Sequence, residues 1–253
     1  MITSPRNPRL RLLNRLQSRS QRDRLGLFVC AGEDVVAAAI EQGLTPTELF
    51  VAAREPDESV GATLNPLRPA VDPFPGALEV EASLLAQVTG MAHAPRVLAV
   101  FRRADLPRAD PSSPATCSLA LWRVSDPGNV GTIIRSADAF GPAPVYLSRG
   151  CGDPTGPKAV RAAAGALVRV PLGSFDDAPR PWRALVPRVG EPISARVAHG
   201  TFVFGAERDG LPNELVERCD SVVSIPIADG AESLNVSTAA AIALYLARAS
   251  ATE

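Results

Sequence analysis

Two spacings of apolar residues alternate along this chain. Short apolar runs, each bounded by glycine, proline or polar residues, read as buried strands. They are "LFVCAG" (27–32), "PTELFVAA" (46–53), "RVLAVFRRA" (96–104), "LALWRV" (119–124), "PVYLS" (144–148), "VRVPL" (168–172), "TFVFG" (201–205) and "SVVSIPI" (221–227). Between them lie segments with helical spacing: "EDVVAAAIEQG" (33–43), "EASLLAQVTG" (81–90), Gly131 to Phe140, "PKAVRAAAGAL" (157–167), "RPWRALVPRVG" (180–190), "PNELVERC" (212–219) and "SLNVSTAAAIALYLARAS" (233–250). Strand and helix in alternation predict an α/β fold with a mostly parallel sheet. The alternation is interrupted by "DLPRADPSSPATCS" (105–118), a proline- and serine-rich stretch of linker composition. The reading is therefore a small N-terminal α/β domain (1–104), a linker (105–117) and a larger α/β domain (118–253).

Ahead of the first strand, Leu10, Leu13 and Leu16 form an apolar stripe, while Arg11, Arg15, Arg19 and Arg22 fall at helical steps on another face. This predicts one basic amphipathic helix. Net charge is only −1, but seven of the first 24 residues are arginine and one, Asp23, is acidic. Such clustering suits a phosphate backbone, and it equally suits a solvated helix face. Arginine outnumbers lysine twenty-five to one, the lysine being Lys158. Two histidines and four scattered cysteines give no metal-ligand spacing and no disulfide framework. No apolar run is long enough to span a membrane, and the arginine-rich N-terminus lacks the apolar core of a secretory signal, so a cytoplasmic protein is expected.

Three polar, glycine-bearing loops each follow a strand, where open α/β sheets place ligands. They are "DPGNVGTIIRSADAFG" (126–141), "FGAERDGLPNEL" (204–215) and "IPIADGAESLNVS" (225–237). Neither a dinucleotide-binding G-x-G-x-x-G nor a Walker G-x-x-x-x-G-K-[ST] is present. Taken singly, the residues have ordinary readings. Asn129 suits a turn, Arg135 a helix surface, Glu207 a loop ion pair and Ser233 the cap of the last helix.

Taken jointly, the spacings are specific. Asn129-x-Gly131-x-x-x-Arg135 with Phe140-Gly141, Gly205-x-Glu207-x-x-Gly210-Leu211, and Ile225-Pro226-Ile227 followed by Ser233-Leu234-Asn235-Val236-Ser237 resemble the three motifs of SpoU (TrmH-like) enzymes of the SPOUT superfamily. "GPKAVRAAAGALVRVPL" (156–172) is similar to that family's middle stretch, with Ala163 where a small polar residue is common. The first 43 residues resemble the substrate-binding domain often attached to these enzymes, with Ala31 where a glutamate is frequent.

The resemblance implies methyl transfer from S-adenosylmethionine to a ribose 2′-hydroxyl of RNA, by a homodimer whose catalytic domain carries a deep trefoil knot. It implies ribosomal RNA as the favoured target, with tRNA, or a silent RNA-binding assembly factor, as alternatives. Carried onto this chain, the motifs place Asn129, Arg135, Glu207, Ser233 and Asn235 at the reaction, and Gly205, Ile225, Ile227 and Leu234 at the cofactor. Arg9, Arg11, Arg15 and Arg22 are then RNA contacts, and no metal is involved. A guanidinium keeps its proton at physiological pH, so Arg135 is expected to anchor a phosphate and stabilise a 2′-oxyanion rather than act as a base. Glu207 is expected to orient an arginine.

Overall fold

The computed structural model describes residues 1–53, 76–112, 117–194 and 199–250. The chain forms two compact units, Met1–Asp105 and Leu106–Glu253. Part of the predicted linker, residues 113–116, lies outside the described residues. From Leu106 on it belongs to the second unit: Leu106 is buried, and Pro107 and Ala109 exchange backbone hydrogen bonds with Leu172.

Among the described residues of the first unit a four-stranded sheet has the order β1 (Leu27–Ala31), β4 (Val97–Arg102), β2 (Glu48–Ala52), β3 (Leu78–Val80). The pairings β1/β4 and β4/β2 are antiparallel and only β2/β3 is parallel, which corrects the mostly parallel sheet expected here. Through α3 (Glu33–Glu41), β1 and β2 do run the same way, but β4 slots between them in reverse. Alternation of strand and helix along a sequence does not record where the last strand inserts.

The single basic helix is two helices, α1 (Pro8–Arg15) and α2 (Arg19–Leu25). Asn7 caps α1, its side chain accepting from the Arg9 amide, and Pro8 starts it. Leu10, Leu13 and Leu16 are fully buried, packed with Phe50, Leu85 of α4 (Ala82–Thr89) and Leu98.

The second unit is built on a seven-stranded sheet among the described residues. Its order is β7 (Leu172–Ser174), β6 (Val145–Leu147), β5 (Cys117–Leu121), β10 (Gly200–Phe204), β8 (Trp182–Leu185), β11 (Ser221–Ser224), β9 (Glu191–Pro192), with every pair parallel. Central strands are buried on both faces, which is why they read as continuous apolar runs. One face carries Ala120, Tyr146, Trp182 and Val203, packed against Phe175 and against Leu215 of α7 (Asn213–Val216). Register puts Leu119, Val145 and Phe202 on the other face, and α8 (Val236–Ser250) packs on β5 and β10.

The segment expected as a helix at 180–190 is instead β8, between β10 and β11. Its buried positions alternate, Trp182 and Ala184, and Pro181 and Pro187 bracket a run too short for a helix. The helix expected to reach Leu167 stops at Ala163 (α6, Pro157–Ala163), because Ala164 and Gly165 both adopt left-handed backbone. Ala166–Val168 is then a 3₁₀ turn, so the strand expected at 168–172 starts only at Leu172.

Candidate active site

The site begins where β5 ends. Asp126 caps α5 (Pro127–Phe140), its carboxylate accepting from the amides of Gly128 (2.5 Å) and Asn129 (3.3 Å), with Pro127 as the first helical residue. Lys158 of α6 adds an ion pair at 2.8 Å. The Lys158 hydrogen bond, with those backbone amides, holds the Asp126 carboxyl below its ordinary value. The helix therefore starts at Pro127, four residues before the Gly131 start expected from sequence, and Asn129 is a first-turn helical residue rather than a turn residue. Gly131 serves contact instead: a β-carbon there would lie 2.3 Å from the Ala159 carbonyl oxygen of α6.

The neighbouring strand β10 delivers Glu207. Its loop is closed by paired backbone bonds between Ala206 and Gly210, at 3.1 and 3.0 Å. Both motif glycines are dictated by that closure. A β-carbon on Gly205 would lie 2.1 Å from the Gly210 carbonyl carbon, and Gly210 itself has φ +64°. The loop turns Glu207 back over the start of α5. Its carboxylate accepts from the Asn129 side-chain amide (3.0 Å) and from the backbone amides of Ser125 and Asp126 (3.3 Å each). Burial pushes this carboxyl up, but those hydrogen bonds outweigh it and hold the group below its ordinary value.

From the third loop, the Asn235 amide donates to the Asn129 side-chain oxygen at 3.2 Å. The Asn235 oxygen in turn accepts from the Ser237 amide (2.8 Å) and hydroxyl (2.6 Å), and its backbone carbonyl accepts from the Ala239 amide. Asn235, not Ser233, is thus the cap of α8. The structure joins Glu207, Asn129 and Asn235, from three segments about a hundred residues apart in all, into one directed chain of hydrogen bonds.

It does not bring Arg135 or Ser233 into that chain. Six residues beyond Asn129, Arg135 is turned about 120° away around the helix and about 9 Å along it. It is exposed and makes no hydrogen bond or ion pair with a described residue; Ser233 is likewise exposed. Glu207 orients Asn129, which corrects the expected arginine. Gly205, Ile225, Ile227 and Leu234 are half-buried: Gly205 directly follows β10 and Ile225 directly follows β11, two strands separated by β8.

The four arginines expected to contact RNA differ in their freedom. Arg11 is exposed, Arg9 pairs with Glu48 at 3.5 Å, and Arg15 donates to Gln21. Arg22 is buried, and its guanidinium donates to the carbonyls of Leu16 and Gln17, both at 2.8 Å, beyond the end of α1. It closes the helix end and is not an RNA contact. Helical periodicity had no means of showing the break at 16–18 that turns it inward.

A further residue of consequence lies outside the three loop motifs. Arg188 donates to the carbonyls of Ala228 and Ala231, each at 2.7 Å, and faces Asp229 at 3.7 Å. It thereby holds the turn between Ile227 and Leu234. Arg188→Ala is expected to speed amide hydrogen exchange over 228–232 at least about tenfold, the loss of ~1.5 kcal/mol of local stability. Unchanged protection there would remove Arg188 from that role.

A parallel sheet with three ligand-type loops along its carboxyl edge, linked by a Glu–Asn–Asn chain, defines the class of protein. Residues 116–245 match the family model of the SpoU rRNA Methylase family, and the chain belongs to that family. Over 98% of this chain and 93% of the relative, it is 28% identical to an uncharacterized tRNA/rRNA methyltransferase of Synechocystis. The AdoMet-bound structure of an rRNA methyltransferase from Sinorhizobium meliloti superposes with a TM-score of 0.78 at 27% identity, over 98% of this chain and 97% of that one. A solved RNA 2′-O ribose methyltransferase superposes at 0.76 with 26% identity, over 100% and 99%.

Proposed function

We propose that this protein transfers a methyl group from S-adenosylmethionine to a ribose 2′-hydroxyl of RNA, with ribosomal RNA the favoured target. The observation that carries the reading is the Glu207–Asn129–Asn235 chain, one member from each of the three motifs. The names of the relatives support the methyl donor, the RNA and, in one case, the ribose oxygen.

The residues at the proposed cofactor site fit that group. Half-buried apolar side chains (Ile225, Ile227, Leu234) beside glycine-bearing loop backbone offer a flat slot and peptide hydrogen bonds to an adenine. Strands two apart in a sheet lie about 10 Å from each other, the reach of a nucleoside. Bound there, S-adenosylmethionine would supply a methyl group on a cationic sulfur. Asn129 spends one N–H on Glu207 and one lone pair on Asn235, which leaves its second N–H for the ribose 2′-oxygen. Glu207, held low, stays ionised and acts as a fixed acceptor. Arg135 has no partner among the described residues and is left for the substrate, where it anchors a phosphate and stabilises charge on the 2′-oxygen. Neither group suits removal of the hydroxyl proton, which leaves to water. Ser233 adds a hydroxyl at the same rim.

In this reading residues 1–104 bind structured RNA through Arg11 and Arg15, with Arg9 beside them, and residues 118–253 form the catalytic domain. The homodimer and the trefoil knot are part of the same reading.

The test is methyl transfer from radiolabelled S-adenosylmethionine to total RNA. The labelled linkage is expected to resist alkaline hydrolysis, because a methylated 2′-oxygen cannot attack the phosphate. Label at an alkali-labile linkage would mean base methylation, and RNA binding without label would mean a silent assembly factor. Arg135→Ala is expected to cut transfer at least about 100-fold with cofactor affinity retained; near-normal turnover would remove Arg135 from the reaction.

A further inference from the structure

We propose that Arg123 and Arg149 form a phosphate-binding site for the RNA backbone beside Asn129, an inference that rests on the RNA-methyltransferase reading. The two arginines occupy equivalent places on adjacent strands. β5 and β6 pair with Leu121 opposite Leu147, and each arginine lies two residues beyond that pair. Neighbouring strands are about 4.8 Å apart, so the two residues stand side by side at the carboxyl edge of the sheet. Three residues after Arg123 comes Asp126, the cap of the helix that carries Asn129.

The two loops are fastened to one another. The Ser148 hydroxyl accepts from the Arg123 amide at 2.9 Å and donates to the Arg149 carbonyl at 3.2 Å. The Ser148 and Gly152 amides reach back to the carbonyls of Leu121 and Val124, at 3.0 and 2.9 Å, and the Cys151 thiol donates to Leu121 at 3.2 Å. The Arg123 side chain lies over Gly150, within 3.5 Å of where a β-carbon would sit.

Arg123 is held in a conformation arginine disfavours. Its φ is 54°, in the left-handed region that glycine or asparagine adopts more readily. Such strain is retained where a side chain is needed at that spot. Yet inside the protein the guanidinium does nothing: Arg123 and Arg149 are exposed, and neither side chain makes a hydrogen bond or ion pair with a described residue. Asp126, the acid between Arg123 and Asn129 in the chain, is already engaged by Lys158 and by the first turn of α5. Two unpaired cationic side chains from adjacent strand ends raise the local positive potential, and an anion taken between them is attracted by both. Their planar forks match the oxygens of a phosphodiester, and the phosphates next to a ribose bound at Asn129 are the anions that pass this edge. Arg208 is excluded from the site because Glu207 and Asp209 flank it.

The test is binding of a labelled single-stranded RNA oligonucleotide of mixed sequence across a salt series, by fluorescence anisotropy, for wild type, Arg123→Gly, Arg149→Ala and the double variant. Each phosphate neutralised on a single strand contributes about 0.7 to the slope of log K against log salt, so loss of the one phosphate the two arginines share should flatten that slope by about 0.7 in the double variant. Arg123→Gly should melt no lower than wild type, since glycine relaxes the backbone, and cofactor affinity should stay within twofold of wild type. An unchanged salt slope in the double variant overturns the site, even where wild type methylates RNA normally. Failure of wild type to label RNA overturns the methyltransferase reading separately, because the slopes are measured without turnover.

Discussion

Glu207→Gln is expected to lower methyl transfer about 100- to 1,000-fold, the usual cost of losing one preorganised group at a reacting oxygen. The reason is direction. At one end of the hydrogen-bond chain the Asn235 oxygen is committed to the Ser237 backbone amide, so the Asn235 NH₂ must point at Asn129. That fixes the Asn129 oxygen toward Asn235 and its NH₂ toward Glu207, which has only acceptors to offer while ionised. A glutamine has one acceptor where the carboxylate has two: Asn129 and Asp126 share Oε1 and Ser125 uses Oε2, so its NH₂ must face a donor, either the Ser125 amide or the Asn129 and Asp126 pair. The Asn129 amide cannot flip to compensate, because Asn235 is already committed.

The same geometry sets a pH dependence. The Glu207 carboxyl is depressed in the folded protein, so the order it imposes is complete above the unfolded carboxylate value and is lost as pH falls through the folded one. Single-turnover rates of wild type should show an acid limb below the ordinary glutamate range, and Glu207→Gln should lack that limb. A variant rate within about threefold of wild type at neutral pH would show that Glu207 does not orient the reacting amide.

The three loops were legible as loops because each joins a buried apolar strand to a glycine and a polar residue, a local pattern. Their convergence was not, since nothing near Asn129 in sequence shows that Glu207 and Asn235 meet at its two side-chain atoms. Resemblance of the motifs put all three on one list, but it also put Arg135 and Ser233 there, and within this chain neither touches the others. Helical spacing likewise grouped Arg22 with Arg11 and Arg15, although the chain breaks after α1 and turns Arg22 beneath it. β8 misled for a related reason: a four-residue strand between prolines is too short to display its own period. Local features fix element type, whereas insertion order and side-chain partners come from tertiary packing.

Gly131 shows that difference at a single position, and it carries the largest expected loss of stability. From the sequence it is only the first residue of the expected helix, yet it lies inside α5, buried against α6. A β-carbon would sit 2.3 Å from the Ala159 carbonyl oxygen and 2.8 Å from the Ala162 β-carbon. Both belong to the body of α6, so no rotamer change relieves the overlap and the helices must part. Gly131→Val is expected to cost ~3 kcal/mol, the upper end for overpacking, with the better helix propensity of valine recovering only a fraction. In a protein of this size that lowers Tm by about 6–12 °C. Gly128, one turn earlier, is the control. A β-carbon there would meet the Asp126 carboxylate at 2.8 Å and the Lys158 side chain at 2.9 Å, side-chain atoms that can shift at the cost of part of the Asp126 cap, about 1 kcal/mol. Gly128→Ala should therefore lose less than half as much. Thermal melts of both variants decide the matter: equal losses, or a Gly131→Val protein as stable as wild type, would mean that α5 and α6 are not in the close contact that places Asn129.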